Sequence, residues 1–157
     1  MTEALLGGCA CGSVRYECSE KPIVQLICHC RDCQRAGGSA FAAFVIVPSD
    51  RLVYAGTAMR HYDVRAESGR TLRRQFCSEC GSPVSARWPD LPRVELLHVA
   101  SLDDQSAFAP THELWTSRAE PWHPFLPDTV KLEDGPSDDV VRKPLKAYFA
   151  ARSSRTP

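Results

Sequence analysis

Gly8-Cys9-Ala10-Cys11-Gly12 near the start, and Phe76-Cys77-Ser78-Glu79-Cys80-Gly81 more than sixty residues later, decide how this chain folds. Sulfurs one or two residues apart sit on short knuckles that aim them at a common point, so two such pairs can enclose one tetrahedral metal ion. Each pair is followed directly by glycine, which lets the backbone turn tightly enough for its N–H groups to face the sulfurs. An ion shared by Cys9, Cys11, Cys77 and Cys80 has all four positions filled, the pattern of a structural zinc. It would staple the first strand to a late hairpin and contribute on the order of 10 kcal/mol, comparable with a domain's whole net stability. A thioredoxin-like redox reading of Cys77 and Cys80 needs a βαβ setting that this sequence lacks.

Between the pairs stands Cys28-His29-Cys30-Arg31-Asp32-Cys33. If residues 28–30 are extended, Cys28 and Cys30 share a face and His29 points away from it, while Cys33 returns after a turn. Three thiolates leave the fourth position of a tetrahedral zinc to an outside ligand, the pattern of a site for chemistry. Such a zinc carries a net charge of about −1 and polarises carbonyls weakly; it is better suited to holding an external thiol as its thiolate. Two alternatives stand beside this one. A distant His61, His98, His112 or Cys18 could close the site, or the triplet could be metal-free and redox-active. Cys18, the eighth cysteine, reads as an ordinary thiol.

The rest of the chain bounds these readings. At 157 residues it fits one domain with a real core. Lys plus Arg number 19 and Asp plus Glu 19, a balance that speaks against nucleic acid or an anionic membrane as partner. The start lacks the basic, apolar signature of a secretory signal, and no apolar run is long enough for a bilayer. A cytoplasmic location follows as the expectation, and with it metal ligands ahead of a disulfide framework. Short β-like runs predict strands over residues 13–17, 23–27, 41–47, 51–54, 59–64, 71–76, 84–88 and 94–100. The run 41–47 is apolar enough to be buried on both faces. Helix is expected only over 31–36, closed by Gly37-Gly38, and over 144–151, with Pro144 in its first turn. The class is mainly β. The organisation expected is one zinc domain over residues 1–135 and a polar tail over 136–157 with a short helix.

With these residues in hand the chain resembles the glutathione-dependent formaldehyde-activating enzymes, also called the centromere-protein-V-type domain. The resemblance rests on residues 8–16 (Gly-Cys-Ala-Cys-Gly-Ser-Val-Arg-Tyr), on Cys28-His29-Cys30-Arg31-Asp32-Cys33-Gln34-Arg35 and on Phe76-Cys77-Ser78-Glu79-Cys80-Gly81. His112-Glu113-Leu114-Trp115 with Pro121-Trp122 supports it. It implies an Mss4-like fold of packed antiparallel sheets, a structural zinc on Cys9, Cys11, Cys77 and Cys80, and a second, catalytic zinc on Cys28, Cys30 and Cys33. It also implies two zinc ions per chain and the joining of glutathione and formaldehyde as S-hydroxymethylglutathione, formally a carbon–sulfur lyase in reverse. Fold and zinc carry over from such a resemblance better than reaction does. A zinc-stapled binding module without turnover, or a thiol–disulfide or sulfoxide redox protein, stay open as alternatives. Arg31, Arg35, Arg73 and Arg74 are candidates to meet a thiol's carboxylates, Arg35 foremost. His112, Trp115 and Trp122 are weighed as pocket walls and, preferentially, as packing residues.

Overall fold

The computed structural model describes residues 4–137 and 139–154. In chain order its strands are β1 (Leu5–Gly8), β2 (Arg15–Cys18), β3 (Val24–Cys28), β4 (Ala42–Pro48), β5 (Leu52–Ala55), β6 (Met59–Arg65), β7 (Thr71–Cys77), β8 (Pro83–Arg87), β9 (Val94–His98), β10 (His112–Leu114) and β11 (Val130–Leu132). Helix α1 (Arg31–Gly37) follows β3, and α2 (Arg142–Ser153) follows β11. The protein is mainly β, built as a three-stranded sheet in the order β1-β2-β5 and an eight-stranded sheet in the order β11-β10-β3-β4-β9-β8-β7-β6.

The large sheet separates two apolar layers, and β4 shows how the sequence makes them. Its residues alternate sides: Phe44 and Ile46 join one buried cluster with Leu26, Leu72 and Leu96, while Val45 and Val47 join the other with Tyr16, Val84 and Leu97. All four side chains are buried, as expected for a central strand covered on both faces. The second layer lies against the small sheet. The first is covered by α2 and the residues just before it, where Val140, Val141 and Leu145 are buried in the same cluster as the strands.

Eight of the strands fall where alternation predicts them. The other three, β1, β10 and β11, had no clear signal: β1 carries two glycines in four residues, and β10 and β11 are three residues each, too short for a period of two to show. They also bring a departure from the antiparallel expectation, because β10 runs parallel to both β3 and β11. Parallel neighbours need long connections, and the chain between β3 and β10 supplies one. The remaining ladders are antiparallel. Gly12 and Gly81, the glycines after the outer cysteine pairs, have φ of +80° and +73°, the left-handed conformation that a knuckle turn requires.

Candidate metal centres and cleft

The outer cysteines come together as their spacing predicts. Cys9 and Cys11 follow β1, Cys77 ends β7 and Cys80 lies in the next turn, and their four sulfurs lie within 4.8 Å of one another. The Cys9–Cys11 Sγ separation is 3.5 Å and that of Cys11–Cys77 is 3.8 Å. A tetrahedral ion with Zn–S bonds of ~2.3 Å sets its sulfurs ~3.8 Å apart, so the donor set fits zinc in size as well as chemistry. Local donors support anionic sulfur: the Val14 N–H donates to Cys9 Sγ at 3.2 Å, and the Ser82 hydroxyl stands 3.1 Å from Cys80 Sγ. Hydrogen bonding by Ser82 is the main reason the Cys80 thiol is pulled down to about 5.

The triplet also converges. Cys28 ends β3, Cys30 is the N-cap of α1 and Cys33 lies in its first turn, with the three sulfurs buried and within 4.8 Å of one another. The Cys33 N–H donates to Cys30 Sγ at 3.4 Å. Cys30 is the sulfur that ionises first: hydrogen bonds from the Cys28 and then the Cys33 thiol, with Arg74 nearby, draw it down to about 3. Three buried thiols grouped this way suit a soft divalent ion such as zinc.

Among the described residues, no fourth histidine, cysteine or carboxylate joins that group. Cys18 is buried elsewhere with its thiol toward the Glu20 carbonyl. His61 is exposed on β6, and the His112 ring stands 2.8 Å from the Thr111 hydroxyl. His98 stacks 4.6 Å from Phe44, and burial, aided by Arg74, pushes its pKa down to about 4. All eight cysteines are free thiols.

His29 turns away from the sulfurs, as an extended 28–30 segment requires, and into a buried hydrogen bond with Glu113. Its Nε2 lies 2.7 Å from Glu113 Oε2, and both side chains are fully enclosed. Glu113 Oε1 accepts from the Leu126 N–H at 2.9 Å and from the Thr129 hydroxyl at 2.6 Å. Burial alone would raise the Glu113 carboxyl, but the bonds from Thr129, His29 and Leu126 outweigh it and hold the pKa below the usual 4.5. Gln34 completes the clamp by donating to the His29 and Arg118 carbonyls at 2.8 and 2.9 Å. Replacing Glu113 with alanine strands a fully buried imidazole, so the zinc-loaded protein should lose about 3 kcal/mol, a fall in Tm of about 10 °C. Melting within about 3 °C of the parent would show that the pair does not brace β3.

The triplet opens on a cleft of about 1120 Å³ between the large sheet, the β6–β7 hairpin and α2. Trp115 forms part of its wall, whereas Trp122 is exposed and His112 stands outside it. Trp115 adopts φ +58°, ψ +42°, a costly conformation for a bulky side chain, and is held by its N–H to the Asp134 carbonyl at 2.9 Å. Of the four candidate arginines, Arg74 lines the cleft, with Nη2 4.0 Å from Cys33 Sγ. Arg35 is exposed and outside it, Arg31 pairs with Glu120, and Arg73 with Asp63. Alternation along β7, which puts Leu72 and Arg74 on one face, was the signal that separates Arg74 from Arg73. Glu113 and Gln34 carried no comparable signal.

A two-layer β protein carries a four-sulfur and a three-sulfur cluster, each able to hold a metal ion, the latter on an open cleft. The chain belongs to the glutathione-dependent formaldehyde-activating enzyme family, whose model matches residues 4–118. No curated protein matches it. A Rhodobacter sphaeroides protein of known crystal structure is similar to it at 22% identity and a TM-score of 0.49, over 62% of this chain and 87% of that one. No helix among the described residues is long and apolar enough to cross a membrane.

Proposed function

We propose that the protein is a zinc-dependent enzyme that makes and breaks a carbon–sulfur bond between a small thiol, glutathione first among candidates, and an aldehyde, as in the formation of S-hydroxymethylglutathione. The observation that carries this is the position of the Cys28, Cys30 and Cys33 sulfurs on the wall of the large cleft. Zinc on these three sulfurs would hold an incoming thiol as its thiolate at neutral pH.

The chain's own groups supply the rest. Cys30 and Cys33 are fixed by the first turn of α1, and Cys28 by pairing with Ala42 on β4 and Leu114 on β10. His29, Glu113 and Gln34 lock the backbone between the sulfurs from behind, without entering the cleft. Arg74 places a positive charge beside the sulfurs, where the carbonyl oxygen gains charge as the thiolate attacks. Cys9, Cys11, Cys77 and Cys80, which do not line the cleft, would act structurally on a zinc of their own.

Exchange between glutathione plus formaldehyde and their adduct, followed by NMR, tests the reading. The zinc-loaded protein should accelerate exchange in proportion to its concentration, with loss on chelation and recovery on adding zinc. Exchange at the buffer rate with fully loaded protein would refute it.

A further inference from the structure

The cleft is far larger than a one-carbon aldehyde needs. Its volume of about 1120 Å³ exceeds the ~300–1,000 Å³ of ordinary small-molecule pockets, whereas formaldehyde is of the order of a water molecule or two, ~30–60 Å³. Much of the wall is apolar: Leu72 and Leu96 from the sheet, Trp115 after β10, and Val141, Leu145 and Phe149 from the C-terminal segment. That segment lies outside the family-matched residues 4–118.

Charged groups share the lining, Asp32, Glu67, Asp90, Arg142 and Lys143 among them, and two features bear on what fits nearest the sulfurs and α2. Arg74 is only 6% exposed, yet its Nη1 has no hydrogen-bond partner in the protein. A buried, incompletely partnered guanidinium beside the sulfurs is a donor kept for a ligand oxygen. Arg93, its guanidinium 3.7 Å over the Phe149 ring, and Lys146 add positive charge where α2 borders the cleft. Arg70 contributes none in net, since Asp90 pairs with it at 2.8 Å.

We propose that the cleft takes the conjugate of an anionic thiol with a large apolar aldehyde, an aliphatic chain of several carbons or an aromatic group. This rests on the carbon–sulfur reading above and names its substrate class. The sulfur lies at the triplet, the former carbonyl oxygen at Arg74, the apolar substituent against Leu72, Leu96, Leu145 and Phe149, and the thiol's carboxylates toward Arg93 and Lys146. In the forward direction the thiolate sulfur bonds to the aldehyde carbon and the carbonyl π pair moves onto oxygen. The proton released when the thiol ionised returns to that oxygen. The product is a hemithioacetal, and no oxidant or reductant takes part.

S-alkylglutathiones are inert mimics of such conjugates, and Trp88 and Trp115 on the cleft wall report their binding by fluorescence in the zinc-loaded full-length chain. Burial of the added methylenes should make S-octylglutathione bind at least ~100-fold tighter than S-methylglutathione. Ala66→Trp, which fills the cleft beneath the β6–β7 turn, should cut that ratio below ~10, and Phe149→Ala, which removes wall without crowding the fold, at least ~5-fold. Equal affinity for the two ligands would overturn the proposal while leaving the carbon–sulfur reading intact, because the thiol part would still bind. An octyl preference that survives both substitutions would also overturn it, by placing the chain outside the cleft. Failure of both ligands to bind would remove the proposal together with the reading beneath it.

Discussion

Cys77→Ser should abolish the cooperative thermal transition of the protein. Cys77 ends β7, is wholly enclosed, and stands with Cys9, Cys11 and Cys80 where β1 meets the β7–β8 turn. Gly12 and Gly81 hold left-handed conformations in the two cysteine turns, their N–H groups donating to the Cys9 and Cys77 carbonyls at 3.2 and 2.8 Å. A structural zinc of this type contributes on the order of 10 kcal/mol of apparent binding energy, against a net stability of ~5–15 kcal/mol for an ordinary domain. Weakening that term leaves the small sheet held to the large one by its apolar layer alone. Calorimetry and zinc analysis of the purified variant check this. A serine variant that melts cooperatively within about 5 °C of the parent would show that the outer cluster does not hold the fold.

Cys30→Ser should act in the opposite way, removing activity and sparing the structure. The Cys30 sulfur caps α1 by accepting from the Cys33 N–H at 3.4 Å, and a serine hydroxyl is a better acceptor at that position. The fold should therefore keep its melting transition to within ~1 kcal/mol. What goes is the thiolate that ionises most readily of the three, and with it the second zinc, so exchange of the glutathione–formaldehyde adduct should fall to the uncatalysed rate. Full activity in this variant would end the assignment of Cys28, Cys30 and Cys33 to the chemistry. Loss of the fold would instead make the triplet a structural site.

The parts of this molecule that were legible in sequence are those whose geometry is local. Spacing of one or two residues between cysteines places sulfurs side by side whatever the rest of the fold does, and both clusters form where spacing predicts. A continuous apolar run likewise located β4, because seven largely apolar residues ending in proline have few other uses. What stayed hidden depends on distant partners. Glu113 is one acidic residue on a three-residue strand, and its meaning comes from lying beside Ile27 in a parallel register that only the folded sheet supplies. Arg74 looked no different from Arg73 by type; one is buried beside Cys33 and the other pairs at the surface with Asp63. The segment beyond residue 135 reads as a polar tail because its apolar residues are sparse. Yet Val140, Val141 and Leu145 are buried against the sheet, and Val141 and Leu145 line the cleft. A few well-placed side chains on a short helix are enough for that, and composition does not reveal them.

X-ray absorption at the zinc edge, with metal analysis on the same sample, tests the central claim most directly. A four-sulfur site and a three-sulfur site with one open position predict two zinc ions per chain with a mean of about 3.5 sulfur neighbours each, rising to about 4 when glutathione is added. One zinc per chain, or a sulfur count that glutathione leaves unchanged, would contradict it.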